Sequence, residues 1–463
     1  MQYSTFAAID IGSYDVILEI FEISKKQGIR SVDKICHRME LGKDTYTLGK
    51  IRPEMEEELC RVLADFVRIM EGYRVDDYRA TASSAISEAS NSLYVLGKIH
   101  QLTGLSVTVL SNSEQRFLSY KALAAMEDNF NKIIEKGTAI LDLDGGSFQI
   151  SLFDKDALVT TQNIRMGSLR IRERLAGIQS ETEHYEEMVE ELIWNEVSSF
   201  KKMYLKDRKI ENIMLIGDVF TDSVYQNIEE KTTKIISREN FNTWYEKIIR
   251  QSPMELAVKL GIPLENASLM YPSAVIYKCL IDMMGAEHIW IPGVHMTRGI
   301  AYEYAEQMKL LKGGHNFEND ILMAAKNIGK RYAVNRPHVQ NLEMTALAMF
   351  DATKKMHGMK ERERLLLQMA VMLHDVGKYI SFNNVADSSY NIIMSNEIIG
   401  LSHIEREMVA LIARYNTVTL PSYDELVMES SLSAEQYLTV SELTAIVPVS
   451  YTHLRAHETD SYL

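Results

Sequence analysis

Two short segments of this 463-residue chain carry residue types that handle phosphate. Asp10, Gly12 and Ser13 close the apolar run FAAIDIGS, and Asp142, Asp144, Gly145, Gly146 and Ser147 close TAILDLDGGS. Glycine lets the backbone approach an anion and take up positive φ, so that successive N–H groups can face it, and serine adds a hydroxyl donor. Aspartate does not favour phosphate directly, so it is expected to hold a divalent cation or to position water. One Asp-Gly turn of this kind reads equally well as an ordinary hairpin. Two of them, each near the start of a β-rich half, predict facing lobes with phosphate in the cleft between them.

The elements that would position these residues can be read along the chain. Residues 6–23 alternate apolar and polar with β-branched residues and predict a strand, a Gly-Ser turn and a second strand. Residues 54–71 carry helical spacing in Met55, Leu59, Val62, Leu63, Phe66 and Met70. Residues 105–110 predict a strand and 113–126 a helix, with Ser113 as N-cap and Glu114 in the first turn. An acid there is favoured by the helix dipole alone, by about 0.3–1 kcal/mol. Residues 138–153 repeat the opening theme, 213–217 (IMLIG) form another apolar run ending in glycine, and 288–300 predict a strand followed by a loop. KGGHNFEND (312–320) reads as a linker, beyond which helix-spaced apolar residues dominate and predict an all-α domain.

Composition narrows the class. An apolar fraction of 46% and a charged fraction of 25% are those of a soluble globular protein, and 463 residues predict two or three domains. A net charge of −14 argues against broad nucleic-acid binding, although a local cationic cleft or a bound cation still admits a polyanionic substrate. There is no run of 18 apolar residues, which predicts no membrane span, and the start of the chain does not read as a secretory signal. Cys36, Cys60 and Cys279 are too few and too scattered for a disulfide framework, so a reducing cytoplasm is expected.

Several motifs in order then resemble the exopolyphosphatase/guanosine-pentaphosphatase (Ppx/GppA) family of the actin-like ATPase superfold. AIDIGS is similar to the first phosphate motif and LDLDGGS to the second, which in the family reads Asp-x-Gly-Gly-Gly-Ser. TASSAISEASN (81–91) resembles the Thr-Ser-Ala-x-Arg-Glu-Ala segment, VLSNSEQRFLSYKAL (109–123) the Ser-Gly-x-Glu-Glu-Ala segment, and RMGSLRIRERL (165–175) the run after the second loop. The resemblance implies two actin-like (ribonuclease-H-like) α/β lobes, 1–125 and 126–305, a linker at 306–320, and an all-α HD-type domain at 321–447. It implies that Glu114 activates water for attack on a terminal phosphoanhydride of polyphosphate or pppGpp. Asp10, Asp142 and Asp144 would hold Mg²⁺ or Mn²⁺. Gly12, Ser13, Gly145, Gly146, Ser147 and Arg170 would bind phosphate. Many folds of this kind pair, so a homodimer is an expectation, with neither nucleic acid nor membrane as partner.

The pattern also breaks. Tyr14-Asp15 replaces Asn-Ser, Ile17 and Ser87 replace arginines, Gln115 replaces the second glutamate, Asp144 the first glycine, and a later glycine-rich loop is only GDVFT (217–221). A site short of cations leaves open a second reading, a (p)ppGpp-sensing binding protein that does not turn over its ligand. In the helical region, His338, His374 and Asp375 follow the metal-ligand order of HD-domain phosphohydrolases, whose imidazole and carboxylate donors suit Mn²⁺, Fe²⁺ or Mg²⁺. LHDVGKYI (373–380) is expected to end a helix with Gly377 as the stop. The final aspartate of that order should fall after SELTAI, where PVSYTHLRAHETDSYL (448–463) loses helical periodicity and is expected to be a non-native tail.

Overall fold

The computed structural model describes residues 4–126, 130–155, 157–176, 185–227, 234–311 and 315–460. They form two compact units, Met1–His315 and Asn316–Leu463. The first unit contains two sheets built to one plan. Strands β1 (Ser4–Ile11), β2 (Asp15–Ser24), β3 (Gly28–Arg38), β4 (Asp77–Ala82) and β5 (Val107–Val109) lie in the order β3-β2-β1-β4-β5. Strands β6 (Thr138–Leu143), β7 (Phe148–Asp154), β8 (Ala157–Ile164), β9 (Asn212–Ile216), β10 (Ile235–Ser237) and β11 (His288–Trp290) lie in the order β10-β11-β9-β6-β7-β8. In each sheet the first strand pairs antiparallel with the second and parallel with the fourth: β1 with β2 and β4, β6 with β7 and β9. The duplication read from the two Asp-Gly turns is therefore a duplication of topology, and these are the two actin-like lobes. β10 is an antiparallel edge added only to the second sheet.

The sequence dictates where the loops fall. β6 is buried at all six positions, as a central strand covered on both faces must be, and it contains only one ionisable side chain, Asp142. That residue and Asp10 stand in the last turn of pleat of β6 and β1, just ahead of the hairpin loops. Each lobe has its own apolar core, one centred on Ile9, Leu18, Leu59 and Phe66, the other on Leu141, Ile150, Phe220 and Tyr277.

Two local expectations are corrected around the first sheet. The helix after β5 spans Asn112–Met126 and is capped by Ser111, two residues before Ser113. The segment after β11 is a loop only to His295, and a helix then runs over Met296–Gln307. Although it follows the second lobe in sequence, this helix covers the first sheet: Tyr304 stacks on Phe6 with ring centroids 4.1 Å apart, and Ile300, Ala301 and Ala305 pack with Ala8, Phe21, Ile23 and Leu118. A sequence boundary at residue 305 cannot show this, because the face it fills is made of residues nearly three hundred positions earlier.

The second unit is helical, with Phe317–Arg331, Arg336–His357, Glu361–Leu373, Val385–Ser395, His403–Arg414 and Ala434–Asp460 as its principal elements. Gly377 is not a left-handed stop. It lies in a short 3₁₀ turn, Val376–Tyr379, where a Cβ would meet Val385 O at 2.3 Å and Ser389 N at 2.6 Å, so close packing is what requires glycine. The backbone of the expected tail continues the last helix to Asp460, with Pro448 inside it.

Gly299 sets the spacing of the two helices that meet on the first sheet. A Cβ there would lie 2.0 Å from the carbonyl oxygen of Leu118, a backbone atom with no freedom to rotate away. Gly299→Ala is expected to destabilise the first unit by about 1–3 kcal/mol, the usual cost of overpacking, and to lower the urea midpoint of its unfolding transition.

Candidate active site

A cavity of about 430 Å³ opens between the two hairpin loops of the first unit. Asp10 and Gly12 from the β1–β2 hairpin face Asp142, Asp144 and Gly145 from the β6–β7 hairpin across it. Asp15, Asp218 and Asp222 also line it, so six aspartates share the space with Lys34, Arg38, Arg116 and His295. The loops touch: a Cβ on Gly145 would come within 3.3 Å of Ser13 Cβ. Gly217, at φ +102° after β9, has room for no side chain, since a Cβ would meet Asp142 Oδ1 and Leu143 O at 2.6 Å.

The electrostatics are those of a site in which acids outnumber cations. Burial, with repulsion from Asp15 and Asp144, pushes the Asp10 carboxyl well above the usual carboxylate range, against Arg116 and Lys34. Burial raises Asp15 to about 6, partly offset by its hydrogen bond from the Cys36 thiol. Asp218 rises to about 7, again by burial, although it accepts from Thr221 N and Tyr277 Oη. Asp142 is raised because burial outweighs its pairing with Arg116. Asp10 Oδ1, Asp142 Oδ2 and Asp218 Oδ2 are buried with no hydrogen-bond partner among the described residues. Acids displaced upward together in one cleft mark a functional site, and orphaned carboxylate oxygens are the donors a hard divalent cation takes. Asp10 and Asp142 fit such an ion. Asp144 fits less well, because Oδ1 accepts from Gly145 N at 2.6 Å and Oδ2 from Gln115 Nε2 at 3.3 Å. Among the described residues these three do not bring ligand atoms within 4.8 Å of one another, so a shared ion would be reached partly through water.

Other expected site residues are placed differently. Arg170 does not line the cavity. Its Nη2 is ion-paired with Glu88 at 3.0 Å, its Nε donates to Gly146 O at 2.9 Å, and its guanidinium lies 3.8 Å over the Tyr46 ring, so it braces the second loop from outside. Ser13 is buried against Tyr46 Oη at 2.7 Å and Ser84 Oγ at 3.4 Å. Gly146 is required for close approach, since a Cβ would meet Tyr46 Oη at 2.2 Å. Ser147 Oγ accepts from Arg116 Nη2 at 3.2 Å. Glu114 lies outside the lining, and its Oε2 accepts from Ser111 N at 2.9 Å and Ser111 Oγ at 2.7 Å, a capping arrangement. Both bonds fall on Oε2, which leaves the lone pairs of Oε1 for water.

Sequence reading missed Arg116, Asp218, Asp222 and His295. The aspartate of GDVFT was visible only as a degenerate loop. His295 Nε2 stands 3.5 Å from Asp222 Oδ1, a pairing that spans the chain between β9 and the helix Met296–Gln307.

In the second unit, His338, His374 and Asp375 do converge, with one ligand atom from each within 4.8 Å of the others. His374 is buried with Nδ1 2.6 Å from Val371 O. Hydrogen bonds from His374 and Lys378 hold Asp375 down to about 2, against the opposing effect of burial.

The model of the Ppx/GppA phosphatase family matches residues 20–308, and that of Ppx/GppA phosphatase domain III matches 322–448. The chain belongs to the Ppx/GppA phosphatase family. The Ppx/GppA fold is shared with two crystal structures: an exopolyphosphatase from Cytophaga hutchinsonii (TM-score 0.58, 17% identity, 66% of this chain and 98% of that one) and the Aquifex aeolicus family member (TM-score 0.55, 18% identity, 66% and 99%). A guanosine-5'-triphosphate,3'-diphosphate pyrophosphatase from Vibrio atlanticus is 19% identical over 97% of this Ppx/GppA chain and 87% of its own. A bifunctional 3-dehydroquinate synthase/phosphatase from Fusobacterium nucleatum is 21% identical over 61% of this chain, which spans 44% of its length. No helix among the described residues is long and apolar enough to cross a membrane.

Two outcomes follow from the cleft's acids. Asp218 has a folded pKa of about 7 against an ordinary value of 3.8, so between those values the folded protein binds more protons than the unfolded one. Its contribution to stability is present below pH 4 and lost as pH rises through about 7. Melting points in EDTA should therefore fall from pH 5 to pH 8, and Asp218→Asn should flatten that fall. Asp144→Gly frees the Gly145 N–H from an internal carboxylate, and should tighten tripolyphosphate binding several-fold by calorimetry.

Proposed function

We propose that the cleft hydrolyses the terminal phosphoanhydride of inorganic polyphosphate or pppGpp. The observation that carries this reading is the pair of Asp-Gly hairpins facing each other across a cavity in which buried carboxylate oxygens of Asp10 and Asp142 have no partner. The names of the relatives agree with it: one is a guanosine-5'-triphosphate,3'-diphosphate pyrophosphatase and another is an exopolyphosphatase.

The terminal phosphate would lie between the two loops, with Gly12 and Gly145 allowing backbone approach. Asp10 and Asp142, with Asp144 through water, would hold Mg²⁺ or Mn²⁺. Bound there, a divalent cation supplies the positive charge that the phosphates and six aspartates demand, and draws the leaving oxygen's charge. Glu114 would accept the proton of the attacking water at Oε1, with Oε2 fixed on Ser111. Its position at the start of the helix Asn112–Met126 puts it next to Gln115 and Arg116, which line the cavity. Phosphoryl transfer asks for positioning and charge stabilisation rather than covalent chemistry, so this small set is sufficient.

A binding-only sensor is the second reading, favoured by the carboxylate of Asp144 on the Gly145 N–H, where a substrate oxygen would otherwise sit. Phosphate release separates the two. With Mg²⁺, the chain is expected to release phosphate from pppGpp or long-chain polyphosphate. Glu114→Gln keeps an oxygen for the Ser111 cap and is expected to lower turnover by at least about 100-fold, with an unchanged melting point. Full turnover in Glu114→Gln removes Glu114 from the mechanism. No release from either substrate, with tight binding of pppGpp, establishes the sensor.

A further inference from the structure

Among the described residues, Arg116 is the one buried arginine or lysine that lines the cavity. Lys34 and Arg38 lie on the exposed side of β3, where solvent screens them, whereas Arg116 is 4% exposed. Its guanidinium is fixed by partners on the opposite lobe. Nη1 donates to Asp142 Oδ1 at 2.7 Å, and Nη2 to Ser147 Oγ at 3.2 Å and Ser147 O at 3.4 Å. Its Nε is buried and has no hydrogen-bond partner among the described residues. A buried N–H donor left unpaired is costly, and one in a native structure calls for completion by a water, an ion or a ligand. Nearby, Asp10 Oδ1 and Asp142 Oδ2 are buried acceptors without a hydrogen-bond partner among the described residues.

We propose that Arg116 is the fixed cation of this site, presenting Nε–H to a non-bridging oxygen of the terminal phosphate while Nη1 stays on Asp142. The inference rests on the phosphoanhydride reading and adds to it a residue with no counterpart in the motifs read from the sequence. In this chain Ile17 and Ser87 stand where arginines were expected, and in the segment SNSEQR arginine stands where the pattern has alanine. The structure thus supplies from the helix Asn112–Met126 a guanidinium that the loops themselves lack. Being held in advance by Asp142 and Ser147, it does not have to reorganise as charge develops on the phosphate, which is the condition under which such a donor contributes most. A guanidinium also offers planar, forked donors that an ammonium cannot reproduce.

The test uses the full chain with Mg²⁺ and compares the wild type with Arg116→Lys and Arg116→Ala on pppGpp and tripolyphosphate. Arg116→Lys preserves a charge beside Asp142 and is the variant expected to fold normally. It should lower kcat on the order of 100-fold, the usual effect of removing one preorganised donor, with a smaller change in KM. Arg116→Ala should show a comparable loss that added guanidinium or methylguanidinium partly restores, a rescue that a purely structural role would not give. A kcat in Arg116→Lys within about threefold of wild type, or a loss in Arg116→Ala that tracks unfolding and resists rescue, overturns the proposal while leaving the hydrolase reading in place. If the wild type releases no phosphate, the hydrolase reading fails and Arg116 is judged by tripolyphosphate calorimetry in EDTA. Weaker binding in Arg116→Lys then supports the cation role, and equal binding, or none in the wild type, overturns it.

Discussion

The ion pair between Arg116 and Asp142 is the contact on which the site depends. It joins the helix after β5, which packs with the first lobe, to the end of β6 at the heart of the second, and both partners are almost fully buried. Removing two charges from water is costly, and the attraction between them compensates only when geometry is good and the remaining polar atoms find partners. Here Ser147 supplies two more acceptors to the guanidinium. The other oxygen of Asp142 stays unsatisfied, and burial still pushes the acid upward. The pair is thus an incomplete one, fixing the two loops opposite each other while leaving a demand for one more charged group between them.

The rest of the cavity repeats this logic. Asp10 stands on the equivalent strand of the first lobe, its Oδ1 without a hydrogen-bond partner among the described residues and its carboxyl pushed upward by burial and by Asp15 and Asp144, against Arg116 and Lys34. Asp144 has turned to the nearest donors, the Gly145 N–H and Gln115. Arg170 and the Ser13 hydroxyl are outside the cavity lining and keep the loops' shape through Tyr46, Glu88 and Ser84. Tyr46 touches both, so one aromatic side chain buttresses the two hairpins at once.

Much of this was legible in the sequence. The strand–turn–strand units show because alternation and Asp-Gly turns are local signals, and the equivalence of the two halves shows because the same local signal occurs twice. The positions of Asp10, Asp142 and Gly145 on the cavity wall follow from those turns. What could not be read is what depends on partners far along the chain. Nothing near Arg170 reveals that Glu88 will claim it, and nothing near Arg116 reveals Asp142, 26 residues on in a different sheet. The start of the helix at Met296, and the sheet face it covers, are decided by Phe6, Ala8 and Phe21 rather than by its own residues. Glu114 was visible as a first-turn acid, and its cap on Ser111 is the local consequence of that position.

The helix Met296–Gln307 also bears on how the chain is made. During synthesis the first sheet is complete soon after β5 has emerged, but the face bearing Phe6, Ala8, Phe21 and Ile23 stays bare until this helix arrives. At ribosomal speeds of roughly 5–20 residues per second, that interval is on the order of 10–40 s. The second lobe, whose core is contiguous in sequence, can close in the meantime. The nascent first lobe therefore spends that interval as a sheet with an uncovered apolar side, a surface for a ribosome-associated chaperone to shield and the point at which truncated products would aggregate.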